Sequence, residues 1–259
     1  MKNSLFFIIM FILAFAISIV IYMFVLGNPA NFSNGELRTV PVVGNMLGTI
    51  YVGGPLVALL IFLSIIDVAI IFERMFSLKK AGGKRSVPAF FKDVITALDN
   101  SDYTGAIEIC DKQRGSVANV IKASVSRYVE LTANKKDIEA EKLLVEIQRS
   151  VEEATMLETP LLEKNLIVLS TVASIATMIG LLGTVIGMIR SFSAMARAGA
   201  PDAIALANGI SEALINTAGG LICGVMGIVA YNFFTNKVDT FTYSVDEASY
   251  NVLQILKSK

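Results

Sequence analysis

The 259-residue sequence contains no histidine and no tryptophan, and it has only two cysteines. Without histidine, the chain lacks the commonest proton relay and metal ligand. A disulfide framework is not expected, because Cys110 falls in a stretch that we place in the cytoplasm and Cys223 in a membrane span. Formal net charge is zero, so the chain as a whole offers no basic field for nucleic acid, which is not expected as a partner.

Charged residues are also scarce. They make up 17% of the chain, against 54% hydrophobic residues. This balance, together with helical patterning and no alternating strand-like run of useful length, predicts an all-α polytopic membrane protein with a helical cytoplasmic domain.

The sequence shows no nucleophile paired with a base and no cluster of metal-binding side chains. The glycines of GLLGTVIG, at residues 180 to 187, follow no strand and lie inside an apolar span, so they do not predict a phosphate loop. We therefore expect neither an enzyme nor a cofactor.

Four apolar stretches are each long enough to cross a bilayer, which takes about 20 helical residues. They cover residues 4 to 26, 52 to 72, 166 to 192 and 210 to 234. We divide the chain into an N-terminal anchor and external link (1–50), a transmembrane helix (51–74), a cytoplasmic helical domain (75–165), a transmembrane helix pair (166–235) and a cytoplasmic C-terminal helix (236–259).

Positive charge sets the predicted orientation. The second span is followed by Glu73-Arg74, Lys79-Lys80 and Lys84-Arg85, which favours the cytoplasm for that end. Both termini are then cytoplasmic if the first segment is retained. We favour an uncleaved anchor, because its apolar run is longer than that of most signal peptides and no clear small-residue cleavage site follows. A cleaved segment would leave three crossings instead of four.

The polar domain shows helical patterns at residues 87 to 99, 103 to 113 and 116 to 133. A longer helix begins at Asp137 and has no obvious stop before Leu166. We expect it to continue as a rod into the third span, with a kink at Pro160, because proline removes a backbone donor and clashes with the preceding turn.

Small and hydroxyl residues recur at three- and four-residue steps in the third and fourth spans. Such a seam allows close helix packing, and its hydroxyls can also line a polar path. The residues alone leave both interpretations open. The predicted packing seam consists of Gly180, Gly183, Gly187, Gly220 and Gly224.

Few polar groups lie within the spans. Asp67, in the second span, is either a functional acid or a structural residue that pairs with a nearby cation or a neighbouring helix. Glu212 is either an acid that gathers cations at an entrance or one that sits at a helix start, favoured by the dipole. Thr184 and Thr217 should approach a shared depth if the last two spans pack together. Since no titratable group is expected at the midplane, a proton path would need a carboxylate from another polypeptide.

Several motifs resemble the ExbB/TolQ/MotA family of proton-channel (stator) subunits. They are GLLGTVIGMIRSF at 180 to 192, ANGISEALINTAGGL at 207 to 221, IIFER at 70 to 74 and the helical segment DYTGAIEIC. The resemblance covers residues 52 to 235 and is closest to ExbB. Where many ExbB-like chains have a proline before GLLGTV, this sequence has Ala176-Thr177-Met178.

The resemblance implies a multi-pass homopentamer in the bacterial inner membrane, surrounded by lipid. An ExbD- or TolR-like single-span partner would supply an aspartate, and a TonB-like transducer would use the proton motive force for outer-membrane import. The implied ion pathway contains Thr184, Thr217 and Glu212, and the departure at Thr177 adds a further hydroxyl. Alternatives are a TolQ-like role in envelope maintenance, a stator driven by Na⁺, for which Thr177 is a weak indication, and a non-conducting membrane scaffold.

Overall fold

The computed structural model describes residues 2–134, 140–196 and 202–257. Within these ranges the chain forms nine α-helices, and the extended pairing is limited to an isolated antiparallel bridge between Phe32 and Pro41. The prediction of an all-α protein is confirmed. The helices are α1 (Lys2–Val20), α2 (Met46–Val52), α3 (Pro55–Ala81), α4 (Val87–Asp99), α5 (Tyr103–Gln113), α6 (Ser116–Asn134), α7 (Ala140–Glu163), α8 (Leu166–Met195) and α9 (Ala203–Lys257).

Four helical stretches of the described chain are long and apolar enough to cross a membrane. They lie within Ile8–Leu26, Pro55–Ala81, Glu141–Met195 and Ala203–Lys257. A bilayer core requires all backbone polar groups to be satisfied within the helix, as these stretches allow. The protein is therefore membrane-embedded.

The chain divides into two compact units. The membrane unit comprises Met1–Ile71 and Ile167–Tyr231, and the helical unit comprises Phe72–Leu166 and Asn232–Lys259.

In the membrane unit, a π-helical turn, Ile21–Leu26, follows α1, and two short 3₁₀ turns, Pro29–Asn31 and Gly35–Leu37, precede α2. The Asn45 side chain caps α2 by accepting hydrogen bonds from the backbone N–H groups of Leu47 and Gly48, at 3.0 and 3.2 Å. Gly54, at φ +80°, makes the turn into α3.

The helical unit has a continuous apolar core. Neighbouring helices α4 to α7 pack pairwise in chain order, and the last part of α9 adds to the same core. Asp102 caps α5 by accepting a hydrogen bond from Gly105 N at 2.8 Å. Helices α4 and α5 have the predicted bounds. Fully buried core residues include Phe90, Val94, Leu98, Ile121, Ile147 and Val252.

The predicted rod into the third span is wrong, because α7 ends at Glu163 and α8 begins at Leu166. Asn165 lies between them at φ +65°, a left-handed conformation that asparagine tolerates better than most residues. The Asn165 amide donates to Glu73 at 3.3 Å, and the buried Arg74 donates to the Leu162 carbonyl at 3.2 Å. These contacts satisfy polar groups at the break.

Three other expectations concern Pro160, the end of the fourth span and the helix start at Asp137. Pro160 lies within α7, and the break comes after it. Helix α9 continues without interruption through residue 235, so residues 236 to 257 are not a separate helix. The predicted helix start at Asp137 lies outside the described residues.

Candidate functional site

The small residues of α8 and α9 lie against each other in the membrane unit. A Cβ added at Gly180 would come 2.9 Å from the Asn216 carbonyl oxygen, and one added at Gly187 would come 2.5 Å from the Gly209 carbonyl oxygen. Such distances require the two backbones to approach closely, which only the absence of side chains permits. The two helices run antiparallel along this contact.

The remaining seam glycines occupy the same contact. Gly183 faces the Asn216 side chain, and a Cβ at Gly220 would lie 2.6 Å from the Ala176 carbonyl oxygen. A Cβ at Gly224 would lie 2.6 Å from Thr177 Oγ1. The structure therefore brings all five predicted seam positions to the α8/α9 contact.

This pairing fixes the depth of the threonines. Gly183 faces position 216 and Gly180 faces Thr217, so Thr184 and Thr217 lie within about one helical turn of each other along the helix axes. Both side chains are half-buried. Thr177 lies about 10 Å from Thr184 along α8, at a rise of about 1.5 Å per residue.

Each threonine hydroxyl donates to a backbone carbonyl. Thr184 Oγ1 donates to Leu181 O at 2.5 Å, Thr177 Oγ1 to Ala173 O at 3.0 Å, and Thr217 Oγ1 to Ala213 O at 3.1 Å. A hydroxyl has one donor and two acceptor lone pairs. In this arrangement the threonines can accept hydrogen bonds from a protonated carboxylic acid, a water or a hydrated proton.

Glu212 is buried near the start of α9 and forms an ion pair with Arg190 of α8. Nη1 of Arg190 lies 2.7 and 2.6 Å from the two carboxylate oxygens. Gly54 packs beside them, since a Cβ there would come 2.8 Å from Glu212 Oε1. The carboxylate is thus held by an arginine where α8, α9 and the turn before α3 meet.

A cavity of about 500 Å³ adjoins this ion pair. Its lining includes Tyr22, Arg38, Tyr51 and Asn208 together with the Arg190–Glu212 pair. The Asn208 amide donates to Thr39 O at 3.0 Å and thereby ties α9 to the loop before α2. The cavity thus places charged and polar side chains, together with apolar ones, beside the buried acid.

Asp67 lies elsewhere in the membrane unit and does not join the threonines. Its side chain is fully buried, and Cys223 Sγ donates to its Oδ2 at 3.5 Å. Cys223 and Thr217 are six residues apart on α9, which places them about 120° apart around the helix. Asp67 therefore packs on a different face of α9 from Thr217.

A family profile described as the MotA/TolQ/ExbB proton channel family matches residues 115–247, a little over half of the chain.

The chain belongs to this family.

Named relatives agree with this assignment. Biopolymer transport protein ExbB of Pseudomonas putida is 30% identical over 151 residues, which cover 58% of this chain and 45% of the relative. Tol-Pal system protein TolQ of Pseudomonas aeruginosa is 29% identical over 179 residues, covering 69% and 76%. TolQ of Haemophilus influenzae is 41% identical over 78 residues, covering 30% and 34%. The matched region spans less than half the length of the ExbB relatives from Pseudomonas putida and Synechocystis.

The sequence-based prediction did not include two contacts of the site residues in this member of the MotA/TolQ/ExbB family. Arg190 was not recognised as the partner of Glu212, although it is the one charge of α8 and Glu212 is an acid near the start of the next antiparallel helix. Opposite charges at facing helix ends were therefore an available signal. Nothing comparable in the sequence indicated that Cys223 lies beside Asp67, because this contact depends on the register with which α3 packs against α9.

Proposed function

We propose that this chain is the proton-channel subunit of an inner-membrane, energy-transducing motor of the ExbB type. It would couple the proton motive force, through an ExbD-like partner, to a TonB-like transducer that drives outer-membrane import. Its membership of a proton channel family and its similarity to proteins named ExbB support this proposal.

The observation that carries the proposal is the α8/α9 seam. It allows the helices to approach closely and leaves Thr184 and Thr217 half-buried at similar depth, with acceptor lone pairs available. No carboxylate of the described residues contacts these two hydroxyls by hydrogen bonding. A conducting path along them therefore needs a titratable group from a partner, which fits a single membrane helix that carries an aspartate.

The outer faces of α8 and α9, away from the seam, are available for assembly. Large apolar side chains of α8 and α9 remain exposed in the single chain, among them Met178, Leu181, Val185, Leu214 and Val225. Exposed apolar surface in a membrane unit contacts lipid or further subunits. We propose a homopentamer that encloses the partner helices, with Glu212 and its cavity at the entrance and Thr177 further along the path.

Thr217 provides the direct test. Thr217→Val keeps the side-chain shape but removes the hydroxyl, and Thr217→Ser keeps the hydroxyl. We expect Thr217→Val to abolish proton flux into liposomes that hold the chain with its partner, whereas Thr217→Ser retains flux. Thr240→Val is a matched control, because Thr240 is an exposed threonine of α9 whose hydroxyl donates to Asn236 O, one turn earlier on the same helix. Full flux in Thr217→Val, with unchanged assembly, would overturn the proposed path.

A TolQ-type role in envelope maintenance is the second candidate. The similarity to TolQ of Pseudomonas aeruginosa covers 69% of this chain and 76% of that protein, a larger share of both than the match to ExbB of Pseudomonas putida. Complementation of strains that lack either system separates the two roles. Restoration of envelope integrity alone would favour TolQ, and restoration of TonB-dependent uptake alone would favour ExbB.

Ion choice and conduction need separate measurements. A flux that depends on external Na⁺ at fixed pH would show that Na⁺, and not the proton, is the transported ion. An absence of flux with either ion, in a correctly assembled complex, would favour the scaffold alternative.

A further inference from the structure

Asp67 occupies a closed site between α3, α8 and α9. Its side chain has no solvent exposure. A Cβ added at Gly227 would lie 3.1 Å from Asp67 Oδ2, 2.9 Å from Leu169 O and 2.9 Å from Ala173 Cβ. The missing side chain at position 227 therefore leaves the room that the carboxyl group occupies.

The carboxyl group has few hydrogen-bond partners. Oδ2 accepts from Cys223 Sγ at 3.5 Å, a weak donor at a long distance. Oδ1 is buried and makes no hydrogen bond within the described part of the chain. Ser64, one turn earlier on α3, donates its hydroxyl to Leu60 O at 3.0 Å.

Among the described side chains, Asp67 forms no ion pair. The nearest basic residue on α3, Arg74, lies seven residues further along the helix and pairs with Glu73. Leu169 and Ala173 of α8 are apolar, and Cys223 is the titratable residue that α9 contributes. The described cations of the membrane unit, Arg38 and Arg190, line the cavity beside Glu212. Glu212 is 11 residues from Cys223 on α9, or about 16 Å along the helix.

An ionised carboxylate in such a place would lose its hydration without gaining a cation or strong donors. A neutral carboxylic acid avoids most of that cost, because a buried neutral polar group is much less expensive than a buried unpaired charge. The neutral acid also carries a donor and an acceptor, both of which can engage a thiol.

We propose that Asp67 is a second proton-binding site of this protein, which holds its proton occluded between α3 and α9 and exchanges it only when these helices separate. The site is distinct from the threonine seam and does not depend on the proposed conduction through Thr217. Its ligand is a proton, taken up by a carboxylate to give a carboxylic acid.

Infrared spectroscopy of the full chain in lipid nanodiscs tests the proposal. The wild-type protein at pH 7 should show the carbonyl stretch of a protonated carboxylic acid, and Asp67→Asn should lack that band. In D₂O the band should shift slowly, because exchange requires the helices to part. No Asp67-dependent band at pH 7, or an immediate isotope shift, would overturn the occluded proton.

Chemical modification gives an independent readout. Dicyclohexylcarbodiimide, an apolar reagent, takes up a carboxylic-acid proton as the carboxylate oxygen adds to its central carbon, and the adduct rearranges to an N-acylurea. Mass spectrometry should find this adduct on Asp67 in wild type and in Glu212→Gln, but not in Asp67→Asn. Labelling that is lost in Glu212→Gln and unchanged in Asp67→Asn would contradict the assignment.

Cys223→Ala keeps the test valid if Asp67→Asn fails to fold. Removal of the thiol should leave the acid protonated and move its carbonyl band, because the hydrogen-bond partner of the acid changes. A band that does not move in Cys223→Ala would contradict the geometry on which the site is built.

Discussion

The Arg190–Glu212 pair leads to a quantitative prediction for the membrane unit. The Glu212 side chain is 4% exposed and the Arg190 side chain is 56% exposed, and one guanidinium nitrogen contacts both carboxylate oxygens at 2.6 and 2.7 Å. Loss of one partner from a fully buried pair costs about 3–5 kcal/mol, and exposed pairs contribute about 0–1 kcal/mol. For this half-exposed pair, Arg190→Gln should cost about 2 kcal/mol.

The two single variants should not behave alike. Arg190→Gln leaves a buried carboxylate without its cation, whereas Glu212→Gln leaves an arginine that can turn towards water, so the second change should cost less, about 1 kcal/mol. The double variant removes both charges together. Its loss should be smaller than the sum of the single losses by about 1–2 kcal/mol, a difference that a double-mutant cycle measures as coupling.

Unfolding of the purified full chain in detergent, followed by circular dichroism, provides the assay. Arg149→Gln is the matched control, because its pair with Glu153 is 70% and 63% exposed and should contribute no more than about 0.5 kcal/mol. Additive losses in the cycle, or an Arg190→Gln variant as stable as wild type, would refute the inference that Arg190 compensates a buried charge.

Two further predictions concern packing and pH. Gly183→Ala should destabilise the protein by about 1–3 kcal/mol, because its methyl group would overlap the buried Asn216 side chain. The control Gly219→Ala should be near neutral, because its methyl group meets the end of the Leu60 side chain. Equal stability of both variants in thermal melts would argue against the close α8/α9 contact. Burial raises the pKa of the Cys110 thiol to about 12, against about 8.5 in the unfolded chain. The free energy of unfolding therefore keeps the full contribution of the protonated thiol below about pH 8.5 and loses it as the pH rises from about 8.5 towards 12. At pH 10 wild type should lose about 2 kcal/mol more than Cys110→Ala in denaturant unfolding, and identical pH profiles would contradict the buried thiol.

In the helical unit, local sequence was enough to predict the bounds of two helices. The bounds of α4 and α5 follow from turn residues and apolar periodicity, which are properties of neighbouring residues. The break at Asn165 was missed for the opposite reason. Its left-handed backbone is supported by Glu73, 92 residues earlier in the chain, and no local signal reports such a contact.

Length, composition and helical period are read along the chain, so the sequence predicts the apolar spans, the all-α class and the positions of small residues in α8 and α9. What those positions face depends on how the helices pack against one another. The register between α8 and α9 sets Gly183 against Asn216 and Arg190 against Glu212, and the packing of α3 on α9 closes Asp67 against Cys223. Register and burial depend on contacts between helices far apart in sequence. They decide whether a polar residue in a span forms an ion pair, as Glu212 does, or is buried without a charged partner, as Asp67 is.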